Sequence, residues 1–120
     1  MTEYRIIQET FSNSDKAVKI VKDVQDLIRD GWQPYGELCL SKFSFNDGSG
    51  TTWIAQSMIK KSGNITDYVL IRGYAGESMH TLVENHLLKG YELFGNIKSV
   101  GFGIYYQILI KRIQLIPDIL

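Results

Sequence analysis

Residues 30–37 read DGWQPYGE, and residues 89–96 read KGYELFGN. Each is Gly–aromatic–x–x–aromatic–Gly, each ends an amphipathic run, and each opens an alternating one. Punctuation repeated in a short chain points to an internal repeat. Setting Gly31 against Gly90 pairs Trp32 with Tyr91, Tyr35 with Phe94, Gly36 with Gly95 and Leu38 with Ile97. Downstream, WIAQSMIKK (53–61) lies over IYYQILIKR (104–112), which pairs Gln56 with Gln107 and Met58 with Leu109. Upstream, YRII (4–7) lies over YVLI (68–71). The loops between differ in length, the first stretch carrying the longer hairpin connection around residues 46–50.

Each half predicts strand, helix, strand, strand. Residues 4–10 are rich in β-formers, and Ser12, Asn13, Ser14 and Asp15 are good helix N-caps. Ala17, Val21, Val24, Leu27 and Ile28 then recur at helical spacing, with Lys16, Lys19, Lys22, Asp23 and Asp26 largely opposite. Gly31 sits where a left-handed C-cap is wanted. A second helix, about 77–89, places Met79, Val83 and Leu87 inward and closes at Gly90. Asp47-Gly48 marks a hairpin turn between the last two strands of the first half. The fold class expected is α+β. Two βαββ repeats, 3–61 and 67–112, form a mostly antiparallel sheet of about six strands with two helices on one face, related by an internal pseudo-two-fold. The chain, 1–120, reads as a single domain with an apolar C-terminal tail at 113–120.

Composition narrows the function. Thirteen basic and thirteen acidic side chains cancel, which removes the electrostatic footprint of a nucleic-acid binder. No apolar run approaches the ~18–20 residues that span a bilayer. Cys39 is the only cysteine, so no intramolecular disulfide forms. The N-terminus, MTEYRIIQET, lacks the basic and apolar regions of a signal peptide. Expected surroundings are the cytoplasm, without membrane or nucleic acid.

The repeat also carries a resemblance. Gly31-Trp32-x-Pro34-x-Gly36, followed by Trp53-x-x-Gln56-x-Met58, resembles the small bacterial domain family DUF1737. The second half keeps Gly90, Gly95 and Gln107 but has Tyr91, Leu93 and Leu109 where the pattern prefers Trp, Pro and Met. The family names no reaction. Length and tandem architecture further resemble a Legionella metaeffector, an effector that inhibits ubiquitin deamidase and transglutaminase effectors by hindering ubiquitin engagement. That resemblance implies a non-catalytic inhibitor, ubiquitin-modifying enzymes as protein partners, and translocation into a host cell by type IV secretion.

Strand parity says which face is left over. Trp53, Ala55, Ser57 and Ile59 oppose Ile54, Gln56, Met58 and Lys60. The more uniformly apolar sets should face the helices. The other face then carries Tyr35, Phe94, Ile54, Met58, Tyr105 and Leu109, more apolar than a free surface needs, unless curvature or the tail covers it. Aromatics and Met of that kind mark interfaces. The expected partner-binding residues are Tyr35, Phe43, Phe45, Met58, Phe94 and Tyr105, serving a foreign protein or a homodimer. An alternative is a small-ligand module for a nucleotide or metabolite, with Gln56 and Gln107 as polar anchors.

Other chemistry finds little support. Cys39 near His80 or His86 lacks any local signature of a nucleophilic pair. The histidines are six apart, about 240° around a helix, so they do not form a metal-binding i,i+4 pair. Residues 73–78, GYAGES, lie between strand and helix, but Glu77 puts negative charge where a phosphate would sit, so a turn and N-cap is the better reading. Lys60-Lys61 and Lys111-Arg112 read as solvated strand ends. No catalytic residue, metal or cofactor is expected.

Overall fold

The computed structural model describes residues 3–12, 19–44, 50–74, 77–99, 101 and 103–113. Among them the order is β1 (Glu3–Ser12), α1 (Lys19–Arg29), β2 (Trp32–Pro34), β3 (Cys39–Ser44), β4 (Gly50–Lys60), β5 (Ile65–Tyr74), α2 (Glu77–Leu88), β6 (Glu92–Ser99) and β7 (Ile104–Arg112). The class is α+β. Of the expected helix N-caps, Ser12 ends β1 instead, while Asn13, Ser14 and Asp15, with Ala17, the Asp47-Gly48 turn and the tail from residue 114, lie outside the described residues.

All strand pairs are antiparallel, and they form two sheets, where a single six-stranded one was expected. In the first, β4 is central, with β1 on one side and β2 and β3 end to end on the other. In the second the order is β5-β7-β6. The break between β2 and β3 falls at Gly36, whose φ of 74° is left-handed, and β6 has irregular register past Phe94, where Gly95 has φ 79°. Without a side chain these residues turn the strand at little steric cost.

Glycine also ends both helices. Gly31 (φ 93°) and Gly90 (φ 94°) follow the last turns. The Tyr91 amide reaches back to the His86 carbonyl at 3.1 Å, the six-to-one bond of a Schellman cap. At its other end α1 is capped from a neighbouring strand: Glu9 Oε1 accepts the Ile20 amide at 2.9 Å. That places a carboxylate at the helix N-terminus, where the dipole favours it.

Helix α1 serves both sheets. It packs on β1, β2 and β4 of the first sheet and on β5 of the second. Its Ile20 and Val24 are buried in a core with Trp32, Ile54 and Met58 from the first sheet, Leu38 from the link between β2 and β3, and Tyr68, Tyr106, Ile108 and Ile110 from the second. The other face of the second sheet contributes Ile71 and Leu109 to a smaller cluster, closed by Met79 and Val83 of α2. The second sheet is therefore covered on both faces. Helix α2 packs on β5, β6 and β7 only, with no comparable packing on β1 or β4 among the described residues. A two-fold would require reciprocal packing, and what is found is one-way. Leu87, expected inward, is exposed accordingly.

Ile54 and Met58 face α1, and the opposite parity set is the one left outward. On the outer face lie Trp53, Tyr4, Ile6 and Phe43, each more than half exposed. The register confirms the grouping, with Tyr4 opposite Ile59, Ile6 opposite Ser57, Thr10 opposite Trp53 and Phe43 opposite Thr51. Met58 was expected on the free face and is 0% exposed instead. Urea denaturation should therefore show Met58→Ala losing about 2–5 kcal/mol of stability. Trp53→Ala, on the outer face, should lose less than about 1 kcal/mol.

Candidate interaction site

Three glutamines of the first half hold the second. β5 is an edge strand with unpaired backbone groups on its outer side. Gln33 satisfies Ile65 twice, its Nε2 donating to the Ile65 carbonyl (3.1 Å) and its Oε1 accepting the Ile65 amide (3.0 Å). Gln25 on α1 continues along the edge, donating to the Thr66 carbonyl (2.7 Å) and accepting from the Tyr68 amide (3.1 Å). A side-chain amide thus stands in for a neighbouring strand. Gly63 leaves room for Gln33, since a Cβ there would overlap the glutamine side chain and push it off Ile65.

Gln56 lies between them, fully buried on β4. Its Nε2 donates to the carbonyls of Gly36 (3.1 Å) and Ser57 (3.2 Å), and its Oε1 accepts the Tyr68 hydroxyl at 2.9 Å. Burial pushes the Tyr68 phenol far above its ordinary value. A fourth tie lies nearer the surface. Glu37 accepts the Asn96 amide at 2.6 Å and pairs with Lys98 at 3.4 Å. The Asn96 amide, followed by Lys98, holds the Glu37 carboxyl below the usual carboxylate range.

The residues expected to bind a partner are dispersed by this architecture. Tyr35 is 59% exposed, and it lines a cleft with the half-buried Phe94, Gln33 and Arg112. Phe43 is exposed on the outer face at the far end of the first sheet. Phe45 lies outside the described residues. Met58 is in the main core, and Tyr105 packs half-buried against the smaller cluster. Tyr35 and Phe94 come together; Met58, Tyr105 and Phe43 do not join them. Gln107, like Gln56, is buried, donating to the carbonyls of Gly95 (3.2 Å) and Ile108 (2.9 Å).

Trp53, Tyr4 and Ile6 were missed as surface residues. The burial of Gln56 marks its face as the enclosed one, but a lone glutamine in a strand carries no mark of burial in the sequence.

Cys39 is exposed on β3, while His80 and His86 belong to α2 on the other sheet. His80 pairs with Glu84 at 2.7 Å, and His86 Nδ1 lies 2.9 Å from the Leu82 carbonyl. Among the described residues no three His, Cys, Asp or Glu side chains gather where a metal ion could be held. The basic strand ends are engaged: Lys60 with Glu3 (4.0 Å), Arg112 with Glu92 and Asn64, and Lys111 over the Tyr91 ring. No helix is long and apolar enough to cross a membrane among the described residues. A scan against models of known protein families matches none, and comparisons with curated proteins and with solved structures find no match.

Two pH effects follow. The unfolded chain loses the Tyr68 proton near pH 10.0 while the folded chain retains it, so stability falls as pH rises past that point. Tyr68→Phe removes this alkaline loss and, by leaving Gln56 Oε1 unpartnered, costs about 1–3 kcal/mol at neutral pH. Chemical denaturation at pH 7 and above pH 10 measures both. The Glu37 tie behaves oppositely. With a lowered folded pKa, its contribution is present at neutral pH and lost as pH falls through that value, so Glu37→Gln should flatten the acid limb of the stability profile.

Proposed function

We propose that this protein is a non-catalytic binding module, made of two βαββ units at residues 3–61 and 67–112, that inhibits a protein partner by covering one of its surfaces. Duplication is supported by the strand orders, in which the last strand of each half is central. It is also supported by the matched glycine φ values and by the matched bonds of Gln56 and Gln107. The binding role rests on one observation, the presentation of Tyr35. Its amide is fixed on the Ser57 carbonyl at 2.9 Å and its carbonyl lies 3.4 Å from Gln56 Nε2, yet its ring stands in solvent. An aromatic on a backbone already ordered loses little entropy on binding and suits an interface anchor.

The partner class comes from the sequence resemblance: ubiquitin deamidase or transglutaminase effectors, to which ubiquitin access would be blocked. The small-ligand reading is weaker, because both ends of the Gln56 amide are already bonded within the fold. Titration into a ubiquitin deamidation or transglutamination assay should give stoichiometric inhibition. Tyr35→Ala should raise the half-inhibitory concentration by tenfold or more, about 1.4 kcal/mol of binding, without loss of stability. Full activity at saturating protein would rule out this partner class.

A further inference from the structure

Gln56 and Gln107 are held alike but finished differently. Each donates its Nε2 to a left-handed glycine's carbonyl and to the carbonyl of the next residue on its own strand. Gln56 Oε1 then receives the Tyr68 hydroxyl. Gln107 Oε1 has no donor among the described residues, and because no buried side-chain oxygen there lacks a partner, it keeps contact with solvent. The residue matching Tyr68 in the first unit is Tyr4. Far from Gln107 on the outer face of β1, it shares a hydrogen bond with Ser57 at 2.8 Å, in an exposed setting.

The rest of the internal joint is unmatched in the same way. Within the chain, α1 is covered by the face of the second sheet that carries Tyr68, Leu70, Ile108 and Ile110. The matching face of the first sheet carries Tyr4, Ile6, Ser57 and Ile59 and is left uncovered by the described residues, Tyr4 and Ile6 being more than half exposed. So is the outer side of α2, where Leu87 stands in the place of Ile28. One end of the molecule thus repeats the donor half of an interface already formed inside it, and the other end repeats the acceptor half.

We propose that the outer face of the first sheet docks on α2 of a second molecule of this chain, head to tail, with Tyr4 of one molecule donating to Gln107 Oε1 of the other. The inference rests on the duplicated-unit reading. A heterologous joint of this kind closes into a ring or extends into a filament, and it consumes both uncovered surfaces at once. The Gln107 site is complete only in the assembly. Tyr35 lies outside this joint, in the cleft with Phe94 and Arg112, and remains available to a foreign protein.

Complementation between two exposed-site variants tests the polarity. Light scattering should show the wild-type protein assembling. Ile6→Glu and Leu87→Glu should each be monomeric alone and form a 1:1 pair when mixed, since each keeps the surface the other lacks. Tyr4→Phe, which removes one oxygen and disturbs no packing, should weaken assembly about tenfold. A monomeric wild type, or a Leu87→Glu protein that still dimerises by itself, overturns the proposal and leaves the duplicated units standing. A 1:1 pair indifferent to both Tyr4→Phe and Gln107→Leu overturns the proposed register as well.

Discussion

A carboxamide buried on an apolar sheet face is tolerable only when its donors and acceptor are bonded, and Gln56 sets that condition for this fold. Its nitrogen is satisfied locally, at Gly36 and Ser57, but its oxygen depends on a hydroxyl from the other half of the chain. Tyr68 can deliver that hydroxyl only if β5 lies against α1. Gln25 and Gln33 fix that position by bonding the edge of β5 on the way. The polar network and the apolar core are consequently one arrangement: β5, whose Tyr68 completes Gln56, is paired with β7, which sets Tyr106, Ile108 and Ile110 over Ile20 and Val24.

This arrangement explains the unequal treatment of the two helices. α1 is amphipathic in the ordinary sense, with Lys19–Asp23 and Lys22–Asp26 pairs on its solvent side, and yet it contacts both sheets. α2 carries leucines on more than one side, and Leu88 is 86% exposed. Between them, α1, β5 and Leu82 of α2 bound a groove of about 730 Å³ floored by Val69, Leu70 and Ile71. Matched sequences thus occupy different environments, because the chain supplies a neighbour to one side of the joint only.

Much of the local structure was legible. Gly31 and Gly90 marked helix ends because a left-handed residue is needed there, and the alternation of 53–60 sorted the two faces correctly. What parity could not say was which face met the helix. Both sets contain apolar and polar residues, so hydrophobicity alone chose wrongly, and Met58 was placed outside. The expectation of one sheet failed for a related reason: strand patterns specify pairing within a half but carry no mark of how two halves meet. Side-chain amides made that joint, and an isolated Gln in a sequence does not name its acceptor.

The two sheets share one core, so they should unfold together. Both tryptophans, Trp32 and Trp53, lie in the first sheet, whereas α2 and β5–β7 make up the second half. Thermal unfolding should therefore be followed at once by tryptophan fluorescence, far-ultraviolet circular dichroism and calorimetry. Coincident midpoints and equal calorimetric and van't Hoff enthalpies are expected, the mark of a single cooperative transition. A fluorescence transition separated from a second calorimetric peak would show two independently folding halves and contradict the shared core.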